Sequence, residues 1–418
     1  MGHLRPTGRR RQLAAVLVAA ALVASACGGD DDDDAADTGD ETSETTEAAE
    51  SSDDTAADDG AEDTDSEETD EAAAGSLADV CPETVVIQAD WEPESEHGGI
   101  YELVGEGYEI DEGAKSVTGP LVSGGEETGV DVEIRIGGAS VGYQPVQSLL
   151  YQDTDILMGY ARVSETMASQ EDSPVVSVMA TMDKSPYAIY WDPETYPEAE
   201  TIADLQDEDV SIFMSGEADV WQDYLVGEGI VAESQIDRSD APKPASFVAA
   251  NGAMAEAGFA SAEPYMYEVE VAEWGRPVAL QLIHDTGYPE YFQSLAVREA
   301  DITEQADCLE QLVPILQQAH VDYIADPGPT NELIIELVDV YATGWIYTPG
   351  NAEWSIEQQA ELGIVGNGDD DTLGEFDAER VQTLLDIAGE YAGIDVSGYS
   401  PEDFFTNEFI DPSIGVEG

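Results

Sequence analysis

The feature that most constrains this chain is an acidic stretch that cannot form a packed structure by itself. Residues 28–76 contain 22 Asp and Glu and no Lys or Arg, and the rest are mostly Ala, Thr, Ser and Gly. Like charges repel, and too little apolar surface is present to offset the entropy of ordering. We therefore expect a disordered, extended linker, which leaves residues 77–418 as the folded body. Calcium binding by the stretch is the weaker alternative, because its carboxylates lack the spacing of a calcium loop.

The N-terminus has the pattern of an export signal. Arginines at positions 5, 9, 10 and 11 precede an apolar run from Leu13 to Ala24. This arrangement predicts a signal peptide over residues 1–26, and the run is shorter than the roughly 20 residues that span a bilayer. The following sequence, Ala24-Ser25-Ala26-Cys27, resembles the bacterial lipobox. That resemblance implies a lipid on Cys27 and a mature protein anchored at the extracytoplasmic face of the cell membrane; an ordinary signal peptide with an incidental cysteine is the alternative.

The folded body is strongly acidic. Of the 92 Asp and Glu and 13 Lys and Arg in the chain, 70 acidic and nine basic residues lie in the body, a net charge of about −61. Phosphate would be repelled by such a surface, so nucleic acid is excluded as a partner. The acidity indicates adaptation to salt or to an acid-rich proteome, since counterions screen the repulsion.

Two cysteines remain once Cys27 is set aside, and they lie far apart in the sequence. Cys81 follows the linker, and Cys308 lies in a predicted helix. An exported compartment permits disulfide formation. We predict a Cys81–Cys308 disulfide that joins the start of the fold to this helix, with two free buried thiols as the alternative.

Predicted strands and helices alternate through the body, and 342 residues exceed what one core usually supports. Apolar patterning predicts strands at 84–89, 130–136, 155–159, 175–180, 210–214 and 278–283. It predicts helices at 146–151, 201–205, 220–226, 252–257, 303–323 (with a kink at Pro314) and 331–341. The alternation predicts a two-lobed α/β fold with mostly parallel sheets.

One motif points to a family. After the first strand the chain reads Ala89-Asp90-Trp91-Glu92-Pro93-Glu94-Ser95-Glu96-His97-Gly98-Gly99-Ile100-Tyr101. This resembles the first-strand segment of ABC-transporter solute-binding proteins of the nitrate, sulfonate, taurine and thiamine-pyrimidine-precursor group. Weaker matches to the same family follow in the family's order at 174–178, 184–186, 202–205 and 259–265. The segment 202–205 resembles the start of the family's Asp-Leu-x-Gly-Lys sequence, but no Gly-Lys follows Leu205 here.

The resemblance implies a periplasmic-binding-protein type 2 fold: two lobes, an interlobe cleft and a hinge of two strands. The expected segments are lobe 1 at 77–190, lobe 2 at 191–287 and the return of lobe 1 at 288–345. A C-terminal helical extension at 346–418 is expected to pack on lobe 1. It further implies a monomer that delivers a small-molecule solute to an ABC permease and performs no chemistry.

Ligands of open α/β sheets bind beyond the carboxyl ends of the strands. Trp91 is predicted to stack on a flat solute, with Glu92 and His97 as hydrogen-bonding contacts. Ser215 and Gly216 precede a helix and could offer N–H groups, and Glu263 could accept from an amidine-like or aminopyrimidine donor. The complete set of predicted ligand contacts is Trp91, Glu92, His97, Lys184, Ser215, Gly216, Glu263, Tyr265, Asp285 and Tyr288. For each, lobe packing, a helix cap, a turn or a solvated surface is the alternative.

Aromatic and carboxylate candidates favour a flat, nitrogen-bearing solute, while helix N-termini alone could still hold a sulfonate or nitrate. The chain has no His-Glu-x-x-His helix or phosphate-binding glycine loop, and its histidines lack metal-ligand spacing, so we expect neither cofactor nor metal. A same-fold enzyme of pyrimidine or thiamine-precursor metabolism and a lipid-anchored sensor domain are the alternative functions.

Overall fold

The computed structural model describes residues 76–207, 210–214, 219–239, 243–368 and 371–416. They belong to one compact unit. The predicted signal peptide, Cys27 and all of the predicted linker except Ser76 lie outside the described residues. No helix within these ranges is both long and apolar enough to cross a membrane.

Two sheets organise the described residues. Their strands are β1 (Thr84–Gln88), β2 (Glu109–Asp111), β3 (Ser116–Ser123), β4 (Glu126–Arg135), β5 (Ile156–Ala161), β6 (Val175–Met179), β7 (Tyr187–Trp191), β8 (Ile212–Phe213), β9 (Ile236–Asp237), β10 (Ala255–Phe259), β11 (Ala279–Leu282) and β12 (Ser294–Arg298).

The first sheet has seven strands in the order β2-β3-β4-β1-β5-β12-β6. β1 lies at its centre and runs parallel to both neighbours, β4 and β5. Residues Val85–Gln88 are all buried, which agrees with the apolar run that predicts a strand covered on both faces. β12 enters this sheet between β5 and β6, so the chain returns to the first lobe after completing the second.

The second sheet has five strands in the order β11-β7-β10-β8-β9. Each sheet has its own large apolar cluster. The cluster of the first includes Ile87, Ile134 and Leu316. That of the second includes Ile189 and Ile212. The separate cores establish the two lobes that the length of the body predicts.

Two predictions about these sheets are wrong. Among the described strands four neighbouring pairs are parallel and the other six are antiparallel. The antiparallel pairs arise because β2, β3 and β4 follow one another in alternating directions, and because β7 and β12 each run antiparallel to both neighbours. The segment 252–257 is not helical, since Ala255–Phe259 is a strand between β7 and β8. Its alanines favour a helix in isolation, but pairing and burial in the centre of a sheet override that preference.

Helices cover the faces of both sheets. They are α1 (Gly98–Tyr101), α2 (Val146–Gln152), α3 (Val163–Ser169), α4 (Asp204–Asp207), α5 (Val220–Gly227), α6 (Pro244–Ala249), α7 (Glu263–Tyr265), α8 (Asp301–Glu304), α9 (Ala306–Ala325), α10 (Gly328–Tyr341), α11 (Pro349–Glu361) and α12 (Ala378–Glu390).

Helix α9 supports the first sheet and carries one end of a disulfide. Its buried residues recur every three or four positions, and the helix continues through Pro314. A disulfide joins Cys308 to Cys81, with 4.8 Å between the Cα atoms. The fully buried Cys308 thereby connects α9 to the segment that precedes β1.

Two crossover segments, 180–186 and 283–293, connect the lobes. The C-terminal segment contacts more than the first lobe on which it was expected to pack. α12 packs against α3 and α5, and α5 belongs to the apolar cluster of the second sheet. Phe405 forms a β-bridge with Ser177 in the first sheet. The last seventy residues therefore contact both lobes.

Candidate functional site

A cavity of about 420 Å³ lies between the two sheets. In the first lobe, residues that follow β1, β4 and β5 line the cavity. In the second lobe, the lining comes from the end of β10 and the adjoining start of β7, where Phe259 pairs with Tyr187. The lining comprises Asp90, Trp91, Glu94, Gly138, Tyr143, Gln144, Pro145, Val146, Tyr160, Arg162, Glu165, Tyr187, Ala257, Gly258, Phe259, Ala262, Glu263, Phe292, Gln293 and Trp345.

The loop after β1 is held in place by its own strand and by the loop after β4. The side chain of Gln88 donates to the carbonyl of Ile136 at 3.0 Å. The amide of Gly137 donates to the carbonyl of Trp91 at 2.9 Å. A Cβ atom at Gly137 would lie 2.3 Å from the carbonyl carbon of Asp90, so only glycine permits this approach. The contacts fix Asp90 and Trp91 at the carboxyl end of β1.

A buried histidine orients Asp90. Nε2 of His97 lies 2.8 Å from Oδ1 of Asp90, and Nδ1 lies 3.1 Å from the carbonyl oxygen of Glu92. Both ring nitrogens therefore lie within hydrogen-bonding distance of an oxygen atom. Nε2 of Gln293 also donates to Oδ1 of Asp90, at 3.2 Å. One oxygen of Asp90 is thus engaged behind the wall of the cavity.

Three aromatic side chains group at one side of the cavity. The ring of Trp91 lies 6.0 Å from Tyr143 and 6.1 Å from Trp345, edge to face with the latter. Gly138 adopts φ = 58°, and a Cβ atom there would lie 3.0 Å from the Trp91 ring. Such rings supply flat apolar surface and, through their π faces, attract cations.

Two carboxylates face the cavity without a basic partner among the described residues. Glu94, from the first lobe, is 2% exposed, and burial together with nearby acidic groups raises its pKa well above the usual range. Glu263, from the second lobe, accepts a hydrogen bond from the amide of Phe259 at 2.7 Å. Burial raises the pKa of Glu263 to about 7. The two lobes therefore each contribute an uncompensated acid.

Arg162 is the one basic residue in the lining among the residues that the structure describes. Its guanidinium donates to Asp219 and lies 3.7 Å from Glu165, with Phe292 beneath it at 5.7 Å. Because two carboxylates already engage Arg162, its charge is compensated within the protein. The cavity wall is acidic overall.

The structure brings together two of the predicted ligand contacts, Trp91 and Glu263, in the lining. His97 lies behind the wall against Asp90, and the buried Glu92 accepts a hydrogen bond from Thr343 at 3.1 Å. Ser215 and Gly216 lie outside the described residues.

The other predicted contacts lie away from the lining. Lys184 donates to the carbonyl of Leu362 at 3.3 Å, and Tyr265 packs against Trp354. Asp285 is exposed in a turn at His284–Thr286. Tyr288 donates to Glu290 at 3.0 Å beside a much smaller adjoining cavity. Proximity to a predicted strand end does not distinguish cavity residues from residues that pack against the hinge.

Several lining residues are missing from the sequence prediction. Glu94 belongs to the same motif as Trp91, and an acid that close to the predicted site was a usable signal. Tyr187 follows the first crossover segment and Phe292 lies within the second, and the sequence locates both segments only roughly. Trp345 comes from the segment after α10 and could not be placed without the tertiary structure.

Comparison with solved structures identifies similar architectures. A protein of Bordetella bronchiseptica RB50 is 14% identical, with a TM-score of 0.50 over 78% of this chain and 96% of its own. The periplasmic aliphatic sulphonate binding protein SsuA of Escherichia coli is 11% identical, with a TM-score of 0.49 over 81% of this chain and 95% of its own. The ligand binding component of an ABC-type import system of Staphylococcus aureus is 12% identical, with a TM-score of 0.47 over 79% of this chain and 97% of its own.

The chain has the two-lobed periplasmic-binding-protein fold. No family model matches the sequence, and no curated protein matches it. At these identities the similarity to solved structures concerns the fold alone. The chemistry of the cleft must therefore be argued from its own residues.

Proposed function

We propose that the protein is the extracytoplasmic solute-binding component of an ABC importer, and that its lobes close on a small, flat, nitrogen-bearing solute. The observation that carries the proposal is the cavity of about 420 Å³ between the lobes, walled by aromatic rings and carboxylates from both. A cleft with a few polar groups among apolar walls is typical of small-molecule sites. Lobe closure around such a site is a well-known mode of binding.

The charges of the cleft favour a nitrogen-bearing solute over a sulfonate. A sulfonate or nitrate carries a negative charge and requires donors, but Arg162 already pairs with Asp219 and Glu165. Glu94 and Glu263 offer such an anion no positive charge, and each of them repels it once ionised. A solute that presents N–H groups to these carboxylates gains hydrogen bonds instead.

The lining favours binding over catalysis. In the part of the chain that the structure describes, it contains no Ser, Thr, Cys, Lys or His side chain. These residue types are common nucleophiles and bases, so acid–base chemistry in the cleft would depend on its carboxyl groups. The cysteine pair is oxidised in the structure, away from the cleft. A same-fold enzyme or a sensor domain is therefore the weaker candidate.

The sequence supplies the rest of the proposal. A lipid on Cys27 would hold the mature protein at the outer face of the cell membrane, and the acidic linker would let the lobes reach a permease. We propose a monomer with one solute site. No feature of the described residues calls for a cofactor.

A thermal-shift screen tests the proposal. The mature protein is mixed with pyrimidines, amines, amidines, sulfonates and nitrate, because only a ligand that prefers the folded state raises the melting temperature. At least one small solute should stabilise the protein, and Trp91→Ala should remove that shift, whereas Trp354→Ala, outside the lining, should retain it. If none stabilises the protein while an ester or amide is turned over, the binding proposal fails.

A further inference from the structure

The side chain of Glu94 has an unusual position. It is 2% exposed and lines the cavity, and its Oε1 atom has no hydrogen-bond partner among the described residues. No Lys, Arg or His of the described chain forms an ion pair with it. A buried carboxylate oxygen without a donor is costly, so a buried acid that faces a cavity indicates a ligand that supplies the donor.

The remaining acids of the cleft have partners within the protein. Asp90 pairs with His97, and Glu165 lies beside Arg162. Glu94 and Glu263 have no such basic partner. When both acids are ionised, the cavity wall therefore carries two negative charges. No basic side chain of the described residues compensates them.

Glu263 reaches the cavity because Gly258 leaves space for it. A Cβ atom at Gly258 would lie 2.7 Å from the carboxyl carbon of Glu263. One oxygen of Glu263 accepts the Phe259 amide at 2.7 Å, which orients the carboxyl group. Glu94 comes from the first lobe and Glu263 from the second, so a cation between them contacts both lobes.

We propose that the solute is an organic cation with N–H groups, an ammonium or an amidinium, whose charged end is held by Glu94 together with Glu263. This rests on the proposed binding function and specifies the solute class. The unpartnered oxygen of Glu94 requires a donor, which an N–H group supplies and a quaternary ammonium does not. The body of the solute lies against Trp91, Tyr143 and Trp345, which provide flat apolar faces.

Matched probes of similar shape and different charge test this assignment. Titration calorimetry compares benzamidine with benzamide, and butane-1,4-diamine with butane-1,4-diol, on the mature protein. At least one cation should bind at least tenfold more tightly than its neutral counterpart. Glu94→Gln should weaken binding of that cation at least tenfold and leave the neutral compound unchanged.

Glu256→Gln is the matched control. Glu256 is fully buried in the second lobe, accepts from Tyr190 and Tyr267, and does not line the cavity. Its variant should bind the cation like the wild type. Melting curves of both variants verify folding, and Glu263→Gln provides a second test if Glu94→Gln does not fold.

The outcomes separate this inference from the proposed function. If neither cation binds, or if each binds no better than its neutral counterpart, the cation assignment is overturned. If a neutral pyrimidine or a sulfonate stabilises the protein instead, the binding function stands and the assignment fails. If no small solute stabilises the protein, both fail.

Discussion

Arg380, in the C-terminal helix α12, donates a hydrogen bond to Oδ1 of Asp183 at 2.7 Å, in the first crossover segment between the lobes. Its guanidinium also donates to the backbone carbonyls of Pro289 at 3.2 Å and Glu290 at 3.3 Å, in the second crossover segment. The ring of Tyr291 lies 3.8 Å from the same group. One side chain from outside both lobes therefore joins the two connections that must flex when the lobes move.

Replacing Arg380 with Ala should loosen the hinge. The change removes an ion pair and leaves carbonyls unsatisfied, so we expect a loss of about 2 kcal/mol in the free energy of unfolding. The radius of gyration of the solute-free protein, measured by small-angle X-ray scattering, should increase. Arg276→Ala is the control, because Arg276 pairs with Asp192 and packs on Trp274 within one lobe. If both variants change the radius equally, Arg380 does not restrain the hinge.

Gly138→Ala should weaken solute binding by displacing Trp91. Gly138 and Gly142 both adopt positive φ, 58° and 67°, so alanine costs about 1–2 kcal/mol of backbone strain at either position. Only at Gly138 would the new methyl group contact the Trp91 ring; at Gly142 it meets nothing within 4 Å. Calorimetry with the most stabilising solute of the screen should show weaker binding for Gly138→Ala alone. Equal affinities in the two variants would remove Trp91 from the site.

Glu290 should make the stability of the protein depend on pH. Burial raises its pKa to about 7, although Ser164 donates to it and Arg162 lies nearby; Asp219 adds to the increase. Glu290 binds its proton more tightly in the folded than in the unfolded protein. The stabilisation of the folded state by this proton is therefore lost as pH rises from about 4.5 to about 7. The loss is at most about 3 kcal/mol. Urea unfolding should therefore show that Glu290→Gln gains stability relative to wild type across this range.

The exposed Glu357 provides the control for this measurement. Glu357→Gln should follow the wild-type pH profile. A Glu290→Gln profile that runs parallel to wild type between pH 4.5 and 7 would contradict the assignment.

Removing the disulfide should destabilise the body substantially. Cys81 and Cys308 are 227 residues apart, so the bond closes a long loop. The double variant Cys81→Ser, Cys308→Ser should therefore have a free energy of unfolding about 3–5 kcal/mol lower than wild type, measured by denaturant unfolding. Cys27→Ser should leave the free energy of unfolding unchanged. If the double variant unfolds at the same denaturant concentration as wild type, the bond contributes nothing to stability.

The sequence allowed much of the fold to be predicted where the pattern is local. The buried run of β1, the spacing of α9 and the pairing of Cys81 with Cys308 all follow from apolar periodicity and cysteine arithmetic. The sequence predicts a helix at 252–257, whereas the structure has a strand at Ala255–Phe259. Pairing in the centre of a sheet overrides the helical preference of its alanines, and that position is not visible in sequence.

The candidate site could be predicted only in part, for a different reason. Trp91 follows the predicted first strand within the family motif, and Glu263 lies in the segment 259–265 that resembles the same family, so the resemblance locates both. Glu92 and Glu94 are two residues apart in the same loop, but only Glu94 faces the cavity, and side-chain direction in an irregular loop is not visible in sequence. Trp345 reaches the cleft from more than 250 residues away, and no local signal records that contact.

The disulfide also determines how mechanical tension would travel through the protein. The described chain begins at Ser76, and Cys81 lies before β1, bonded to Cys308 in the first turn of α9. A pull on the N-terminal side is transferred through the sulfur atoms to α9 before it reaches Thr84. The central strand, which positions Asp90 and Trp91, is thus shielded from shear. A force applied at Ser76 therefore meets the cross-link to α9 before it meets the strand that leads to the cleft.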